Sequence, residues 1–217
     1  MTGDLFDAID MGSPWSEQLA EDARVLHGFA LTEQHALLRA VDTVIAHAPF
    51  RHLTTPGGFR MSVAMTNCGE LGWVSDQRGY RYDARDPDSG KPWPAIPAVF
   101  SDLAYAAAEY AGFSGFEPDA CLVNRYETGT RLSLHQDRDE RDLTQPIVSV
   151  SLGVPAIFQF GGKQRTDPVR RVPLLHGDVV VWGGRSRLAY HAVAALKEGF
   201  HPLTGSCRIN LTFRKAG

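Results

Sequence analysis

A series of short apolar segments in the second half of the chain limits the possible folds more than any other pattern. From residue 119 onward, runs rich in Val, Ile and aromatic residues alternate with Gly, Pro and charged turns, without helical periodicity between them. The runs cover 120–126, 131–137, 146–152, 156–161, 177–182, 188–194 and 207–214. Strands at this spacing predict a double-stranded β-helix (jelly-roll) core over 119–214.

Two helices are predicted ahead of these strands. Residues 33–47 repeat apolar side chains at helical spacing, directly after Thr32, which is a favourable N-cap residue. A second helix is predicted from Pro97 to about Tyr110, because proline suits the first turn of a helix. Helices followed by strands predict an α+β chain, one domain over 1–217, whose N-terminal helices buttress one sheet.

The stretch 51–96 lies between the two helices and has little periodicity. It is rich in Gly, Pro and aromatic residues. A segment this long inside a compact domain is more often functional than idle. We therefore expect 51–96 to form a lid over a binding site.

Composition places the chain among ordinary globular proteins, with 43% hydrophobic and 22% charged residues. Its three cysteines have no C-x-x-C spacing, which argues against a disulfide framework or a structural zinc site and favours a reducing cytoplasm. No apolar run is long enough to span a membrane. The first twelve residues hold three acids and no base, unlike a secretory signal. We expect a cytoplasmic protein without a membrane partner.

Charge is distributed unevenly along the chain. The net charge of −3 argues against a protein that coats nucleic acid, although it permits an enzyme that binds a few nucleotides. The basic loop, Gly162–Arg171, holds Lys163, Arg165, Arg170 and Arg171 against a single acid. It suits salt-sensitive contact with phosphates. A solvated hairpin is an equally good interpretation of the loop taken alone.

His135 and Asp137 are candidate metal ligands. They lie two positions apart in the predicted strand 131–137, so strand alternation places both on one face. A distant histidine would complete a triad of two histidines and one carboxylate, which leaves open positions on iron. The pair alone is weak evidence, because about 0.6 such pairs are expected by chance in this composition.

A second pair with the same spacing, His176 and Asp178, competes with the first. Gly177 and the apolar run after it indicate a turn, in which alternation need not align the two side chains. Asp178 is then a turn residue that opens a strand. We favour the first pair as the ligand pair for this reason.

The C-terminal strand carries a candidate anion site. Its apolar residues Ile209, Leu211 and Phe213 alternate with Arg208, Asn210, Thr212 and Arg214. Two arginines on one face with Asn and Thr suit a small dicarboxylate, although an ordinary edge strand can also have a wet face. Six residues of straight strand span about 20 Å, so both arginines reach one ligand only if their side chains converge.

Together with His191, these residues give the chain a resemblance to the AlkB family of iron(II)- and 2-oxoglutarate-dependent dioxygenases. The resemblance extends from Leu5-Phe6 to Phe213-Arg214. The blocks that carry it are 61–68, 118–122, 146–152, 156–162 and 176–182. These blocks are far more specific than a triad of ligands.

The resemblance implies a complete set of site residues. Iron(II) is bound by His135, Asp137 and His191. The cosubstrate 2-oxoglutarate is bound by Arg208 and Arg214, with further contacts from Asn124, Tyr126, Asn210 and Thr212. Substrate contacts fall to Met65, Trp73, Tyr80, Arg81, Tyr82, Asp139 and Arg165. Without the resemblance, Trp73, Tyr80 and Tyr82 would be interpreted as core aromatics.

The resemblance also implies a reaction. The expected activity is oxidative demethylation of N-alkylated bases such as 1-methyladenine and 3-methylcytosine in DNA. The expected products are formaldehyde, succinate and CO₂, with O₂ as second cosubstrate, and the expected role is repair of alkylation damage. The methylated base is flipped onto Trp73, from single-stranded DNA preferably or from a duplex, with RNA as a further candidate, and the protein acts as a monomer.

Alternatives and departures stay open at this point. The same chemistry could serve a hydroxylase of RNA, protein or a small molecule, and a protein with these ligands could be a non-catalytic sensor. Retention of all three ligands and both arginines argues against a sensor. Arg138 stands where the family commonly has lysine, and Phe59 replaces a tyrosine of the lid.

Overall fold

Thirteen strands and two α-helices make up the part of the chain that the computed structural model describes, residues 15–217. The acidic segment predicted not to be a secretory signal lies outside the described residues. The helices are α1 (Gln34–His47) and α2 (Ala98–Tyr110). The strands are β1 (Trp15–Ala20), β2 (Ala23–His27), β3 (Ala64–Gly69), β4 (Gly72–Asp76), β5 (Gly79–Asp83), β6 (Ala120–Tyr126), β7 (Leu132–His135), β8 (Ile147–Gly153), β9 (Ala156–Phe160), β10 (Arg170–Leu174), β11 (Val179–Trp182), β12 (His191–Val193) and β13 (Arg208–Arg214).

Two antiparallel sheets pack face to face. The large sheet has the order β1-β2-β11-β8-β13-β6-β3, and the small sheet has the order β10-β9-β12-β7. Phe158 and Val172 of the small sheet share one buried cluster with Ile147 and Trp182 of the large sheet. The predicted jelly-roll core is confirmed.

The helices cover the outer face of the large sheet. Leu37 of α1 and Phe100 of α2 pack with Val150 and Phe213 of the sheet in a second buried cluster. Burying side chains of this size stabilises the fold by about 1.5–3 kcal/mol each. This confirms that the helices buttress one sheet.

Strand β13 lies in the middle of the large sheet, between β8 and β6. Its apolar side chains join the helix-side core, and its polar side chains share the opposite face. All seven residues of β13 are buried. The edge-strand alternative is therefore wrong, because the polar face lies between the two sheets.

Some predicted boundaries are wrong. The helix at 33–47 is found at Gln34–His47, but Thr32 is not its cap, because the chain enters α1 through a turn in which Glu33 N donates to Ala30 O at 3.2 Å. The strand predicted over 131–137 ends at His135. Beyond it, the Arg187 guanidinium donates to the Asp137 carbonyl at 2.7 Å in place of a neighbouring strand.

Six strands were not expected from the sequence. They are β1 and β2 ahead of α1, β3, β4 and β5 within 51–96, and β10, which starts in the last two residues of the basic loop. Strand β3 has buried Thr66 and Asn67 in a row, so it shows no alternation. It pairs with β6, so part of 51–96 belongs to the large sheet.

Within the described residues, no helix is both long and apolar enough to cross a membrane.

Candidate active site

His135, Asp137 and His191 converge on one point. His135 at the end of β7 lies opposite His191 at the start of β12, and Asp137 follows β7 by two residues. One Asp137 carboxylate oxygen is 3.6 Å from His135 Nε2 and the other is 3.7 Å from His191 Nε2. Their ligand atoms lie within 4.8 Å of one another, the one group of three such side chains found among residues 15–217.

Both imidazoles are oriented for a metal. The Nδ1 atom of His135 lies 2.8 Å from Ser133 O, and that of His191 lies 3.0 Å from Ala189 O. A carbonyl only accepts, so each Nδ1 carries the proton and each Nε2 keeps a lone pair. Burial, reinforced by His135, lowers the pKa of His191 to about 4. The donor set of two imidazoles and one carboxylate suits iron(II).

Arg214 holds the carboxylate of this triad. Its Nε and Nη2 atoms donate to the same oxygen, Oδ2 of Asp137, at 2.9 and 2.7 Å. Burial favours the neutral acid, but Arg214 outweighs it and holds the pKa of Asp137 well below its usual range. Asp137 is therefore an ionised ligand, and Arg214 is committed to it more than the resemblance implied.

The competing pair belongs to a structural turn. His176 accepts from Gly153 N at 2.8 Å and stacks on His201, while Asp178 Oδ2 accepts from Leu175 N at 2.8 Å. Gly177 has a φ of +87°, so the chain turns between the pair. This confirms Asp178 as a turn residue that opens β11.

Arg208 supplies the strongest evidence for an anionic ligand. Its side chain is buried, with one hydrogen bond, from Nη2 to Ser151 Oγ at 2.9 Å, and its guanidinium lies over the Tyr126 ring at 5.0 Å. Its Nε and Nη1 atoms have no partner among the described residues. Leaving buried charged donors unpaired costs more than about 1–3 kcal/mol, so a bound carboxylate such as that of 2-oxoglutarate fits here.

The polar face of β13 forms a wall next to Arg208. Asn210 accepts from Thr212 Oγ1 at 2.9 Å and from Asn124 Nδ2 at 3.3 Å, and donates to Ser149 Oγ at 2.8 Å. The carbonyl oxygen of Asn124 has no partner among the described residues. These amides are fixed by one another, which leaves Asn124 with spare capacity towards a ligand.

A cavity of about 880 Å³ joins these groups. Fourteen of the site residues inferred from the sequence line it: Met65, Trp73, Tyr80, Asn124, Tyr126, His135, Asp137, Asp139, Arg165, His191, Arg208, Asn210, Thr212 and Arg214. Arg208 and Arg214, six residues apart on β13, both line this cavity.

Trp73 is held in place at this cavity. Its backbone N–H and C=O both bond the Asn67 side chain at 3.0 Å, and its indole N–H donates to Asp139 at 2.9 Å. The indole stacks on the Tyr80 ring with centroids 5.6 Å apart. Trp73 is partly exposed and lines the cavity, while it also packs against the buried cluster between the two sheets.

The two remaining inferred residues, Arg81 and Tyr82, do not line the main cavity. Arg81 bonds Asp76 through two nitrogens at 2.9 Å, and both Arg81 and Tyr82 line a smaller neighbouring pocket of about 320 Å³.

In the basic loop, Arg165 donates to Leu134 O at 2.9 Å and lines the main cavity. Arg170 pairs instead with Glu17. Only part of the basic loop is thus available to phosphates.

The sequence interpretation missed a buried ion pair behind the triad. Glu140 accepts from Arg187 Nη2 at 3.0 Å and from the Tyr82 hydroxyl at 2.7 Å, while Arg187 Nη1 bonds the Asp137 carbonyl. Both side chains are almost fully buried. The one feature of the sequence that could have indicated this pair is that Glu140 follows Asp137 by three residues. Charged residues in loops are usually exposed to solvent, so there was no reason in the sequence to expect burial.

Comparison with known proteins agrees with this site. Residues 22–214 match the sequence family described as the 2OG-Fe(II) oxygenase superfamily. The chain is 57% identical to the alpha-ketoglutarate-dependent dioxygenase AlkB of Escherichia coli, over 98% of this chain and 99% of that protein. It is 33% identical to the DNA N(6)-methyladenine demethylase ALKBH1C of Arabidopsis thaliana, over 67% of this chain and 38% of that protein.

The fold agrees as well. The solved structure of OsALKBH1 superposes with a TM-score of 0.80 at 30% identity, covering 92% of this chain and 99% of that one. Iron(II), 2-oxoglutarate and O₂ follow as cofactor and cosubstrates from the family and the triad. The chain belongs to the AlkB family within the 2OG-Fe(II) oxygenase superfamily and is an iron(II)- and 2-oxoglutarate-dependent dioxygenase.

Proposed function

We propose that the enzyme removes methyl groups from ring nitrogens of damaged DNA bases, releasing formaldehyde, succinate and CO₂, and so repairs alkylation damage. The observation that carries the proposal is a partly exposed aromatic plate, Trp73, in the same cavity as the triad of His135, Asp137 and His191. The demethylase name of the Arabidopsis thaliana relative supports a methylated base as substrate.

Different residues of the site bind the metal, the cosubstrate and the base. His135, Asp137 and His191 hold iron(II), Arg208 pairs a carboxylate of 2-oxoglutarate, and Asn124 and Tyr126 line its place. The bound metal and cosubstrate supply the oxidation of the methyl group by O₂. Arg214 keeps the Asp137 carboxylate ionised and aimed, and the buried wall of β13 excludes water from the cosubstrate.

The base is held by the lid. Trp73 stacks on the flipped base opposite His135, Met65 lines the pocket, and Asp139 accepts from the exocyclic amino group after exchanging its bond with the Trp73 indole. A methyl on a pairing nitrogen removes base pairing, so extrusion costs less for a damaged base than for an intact one. Tyr80, Arg81, Tyr82 and Arg165 contact the strand backbone, which positions it without reading its sequence.

The organisation of the chain fits this division. We infer that 51–96, apart from β3 in the large sheet, is the nucleotide-recognition lid and that 119–214 is the catalytic core of a single domain over 1–217. Three unpaired cysteines support a reducing cytoplasm as the place of action. A site assembled within one chain supports a monomer acting on single-stranded DNA.

Mass spectrometry of methylated oligonucleotides tests the proposal. Single-stranded DNA, duplex DNA and RNA of one sequence, each with one 1-methyladenine, are incubated with enzyme, iron(II), 2-oxoglutarate and ascorbate. We expect loss of 14 Da (one CH₂), fastest for single-stranded DNA, and none with His191→Ala. Fastest loss from RNA would reassign the substrate. Binding of all three without loss of mass from any would favour the sensor and contradict the proposal.

A further inference from the structure

Phe59 is the most exposed large hydrophobic side chain among residues 15–217, at 78%. It lies on the rim of the cavity that contains the triad and Trp73. A single exposed apolar residue is ordinary on a protein surface. Phe59, however, lies beside the cavity of the active site, and this position indicates a function.

The turn that carries Phe59 is fixed by hydrogen bonds. The backbone N–H of Thr55 donates to Phe59 O at 2.8 Å, and the Phe59 N–H donates to Thr55 Oγ1 at 3.1 Å. Thr54 O accepts from Ser75 Oγ at 2.7 Å, which ties the turn to the strand of Trp73. The ring is therefore presented on an ordered support, and little conformational entropy is lost when a partner binds it.

Two arginines line the cavity together with the Phe59 ring. Arg60 and Arg131 line the same cavity, both are exposed, and neither has a carboxylate within 4.0 Å in the described part of the chain. Ser62 Oγ donates to Arg131 O at 3.2 Å, which joins their two segments. An open aromatic face beside free guanidinium groups is the combination that binds single-stranded nucleic acid, through base stacking and phosphate contact.

We propose that Phe59 is a second stacking platform, which holds the base next to the one under repair, while Arg60 and Arg131 contact the phosphates between the two nucleotides. This inference rests on the proposed function. The cavity volume of about 880 Å³ lies near the top of the usual range for ligand pockets, so it has room beyond a single base and the cosubstrate. The neighbouring base is recognised by its flat face alone, so the platform does not read sequence.

Anaerobic binding measurements test the platform. Enzyme loaded with iron(II) and 2-oxoglutarate is titrated with a single-stranded oligonucleotide that carries one 1-methyladenine. F59A should weaken binding about five- to 150-fold, and F59Y, which keeps the ring, should bind within about twofold of wild type. F200A removes a ring of similar exposure (76%) that does not line this cavity, and should leave binding unchanged.

Abasic sites identify the stacked partner. The base is removed on one side of the methyladenine and then on the other. On one side only, the difference between wild type and F59A should disappear. Equal differences on intact and both abasic strands, or F59A binding like wild type, would overturn the platform. Thermal melting of F59A checks that the variant is folded, as expected for an exposed side chain.

Salt dependence tests the arginines. R131A should reduce the slope of log affinity against log salt by about 0.7, the value for one phosphate of a single strand. R39A, on α1 across the large sheet, should keep the slope of wild type. If the wild type demethylates the strand and neither F59A nor R131A changes oligonucleotide affinity or its salt dependence, the stacking platform is contradicted and the proposed function is not. Failure of wild type to bind or demethylate any strand would sink the proposed function with it.

Discussion

Arg214 donates two hydrogen bonds to one oxygen of Asp137, at 2.9 and 2.7 Å, and so anchors the carboxylate of the triad. The same guanidinium lies 3.4 Å from Glu140. Arg214, which the resemblance assigns to the cosubstrate, is thus also a partner of the metal ligand. The two arginines of β13 should therefore fail in different ways when changed.

Arg214→Lys should weaken iron(II) binding by roughly tenfold, because lysine keeps the charge but cannot place two donors on Oδ2 of Asp137. Iron(II) affinity is measured by titration of the protein without cosubstrate. Arg125→Lys is the control, since Arg125 pairs with exposed Glu127 away from the triad. Unchanged iron(II) affinity in Arg214→Lys would show that Asp137 is oriented without it.

Arg208→Lys should raise the 2-oxoglutarate concentration required for half-maximal turnover by about ten- to 100-fold. Nε and Nη1 of Arg208 have no protein partner among the described residues. Lysine has a single nitrogen and cannot replace this pair of donors to a carboxylate. Iron(II) affinity and oligonucleotide affinity should change little. The hypothesis fails if the variant loses oligonucleotide binding while its requirement for 2-oxoglutarate stays at the wild-type value.

Trp73→Ala and Arg165→Ala should differ in kind. Loss of stacking should cut affinity for methylated single strands by about five- to 150-fold at every salt concentration. Loss of Arg165 should weaken methylated and unmethylated strands alike and flatten the salt dependence. Affinities for both strands at several salt concentrations separate the two effects. Wild-type affinity and turnover in Trp73→Ala would make that ring a packing residue only.

His27 should make stability depend on pH near neutrality. Its ring nitrogens lie 3.3 Å from Glu17 and from Asp178; burial opposes protonation, but the two carboxylates raise the pKa of His27 above 6.5. The protonated ring therefore stabilises the fold fully below about pH 6.5, and this contribution is lost as pH rises through the higher folded-state pKa.

Urea unfolding of wild type and His27→Gln at about pH 6 and about pH 8 measures this contribution. The stability advantage of wild type over the variant should be larger at the lower pH. An advantage of the same size at both values would mean that His27 does not change its charge between them.

Strand β13 shows how far local pattern reaches. Its alternation predicted both faces correctly, because the period of a strand is a property of neighbouring residues. Its place in the middle of the sheet was not predictable from that pattern, since an edge strand gives the same alternation. Strand β3 was missed because the polar residues Thr66 and Asn67 are both buried, where β3 pairs with the distant strand β6.

The site follows the same rule. His135, Asp137 and His191 come together as predicted, and His176 is left out because Gly177 is a local turn signal. Strand alternation was the wrong reason for Asp137, which lies beyond the strand end and is held there by Arg187, 50 residues away. Pairings such as Glu140 with Arg187 and Arg214 with Asp137 form only when segments distant in sequence come together in the fold. The spacing of these residues in the sequence therefore does not predict them.

The most direct test of the account is the stoichiometry of the reaction in three proteins: wild type, His191→Ala and His176→Ala. Formaldehyde and succinate are quantified after reaction with a methylated single-stranded oligonucleotide. Wild type and His176→Ala should release the two products in equal amounts, and His191→Ala should release neither. Succinate without formaldehyde in wild type, or equal loss of activity in both variants, would contradict the account.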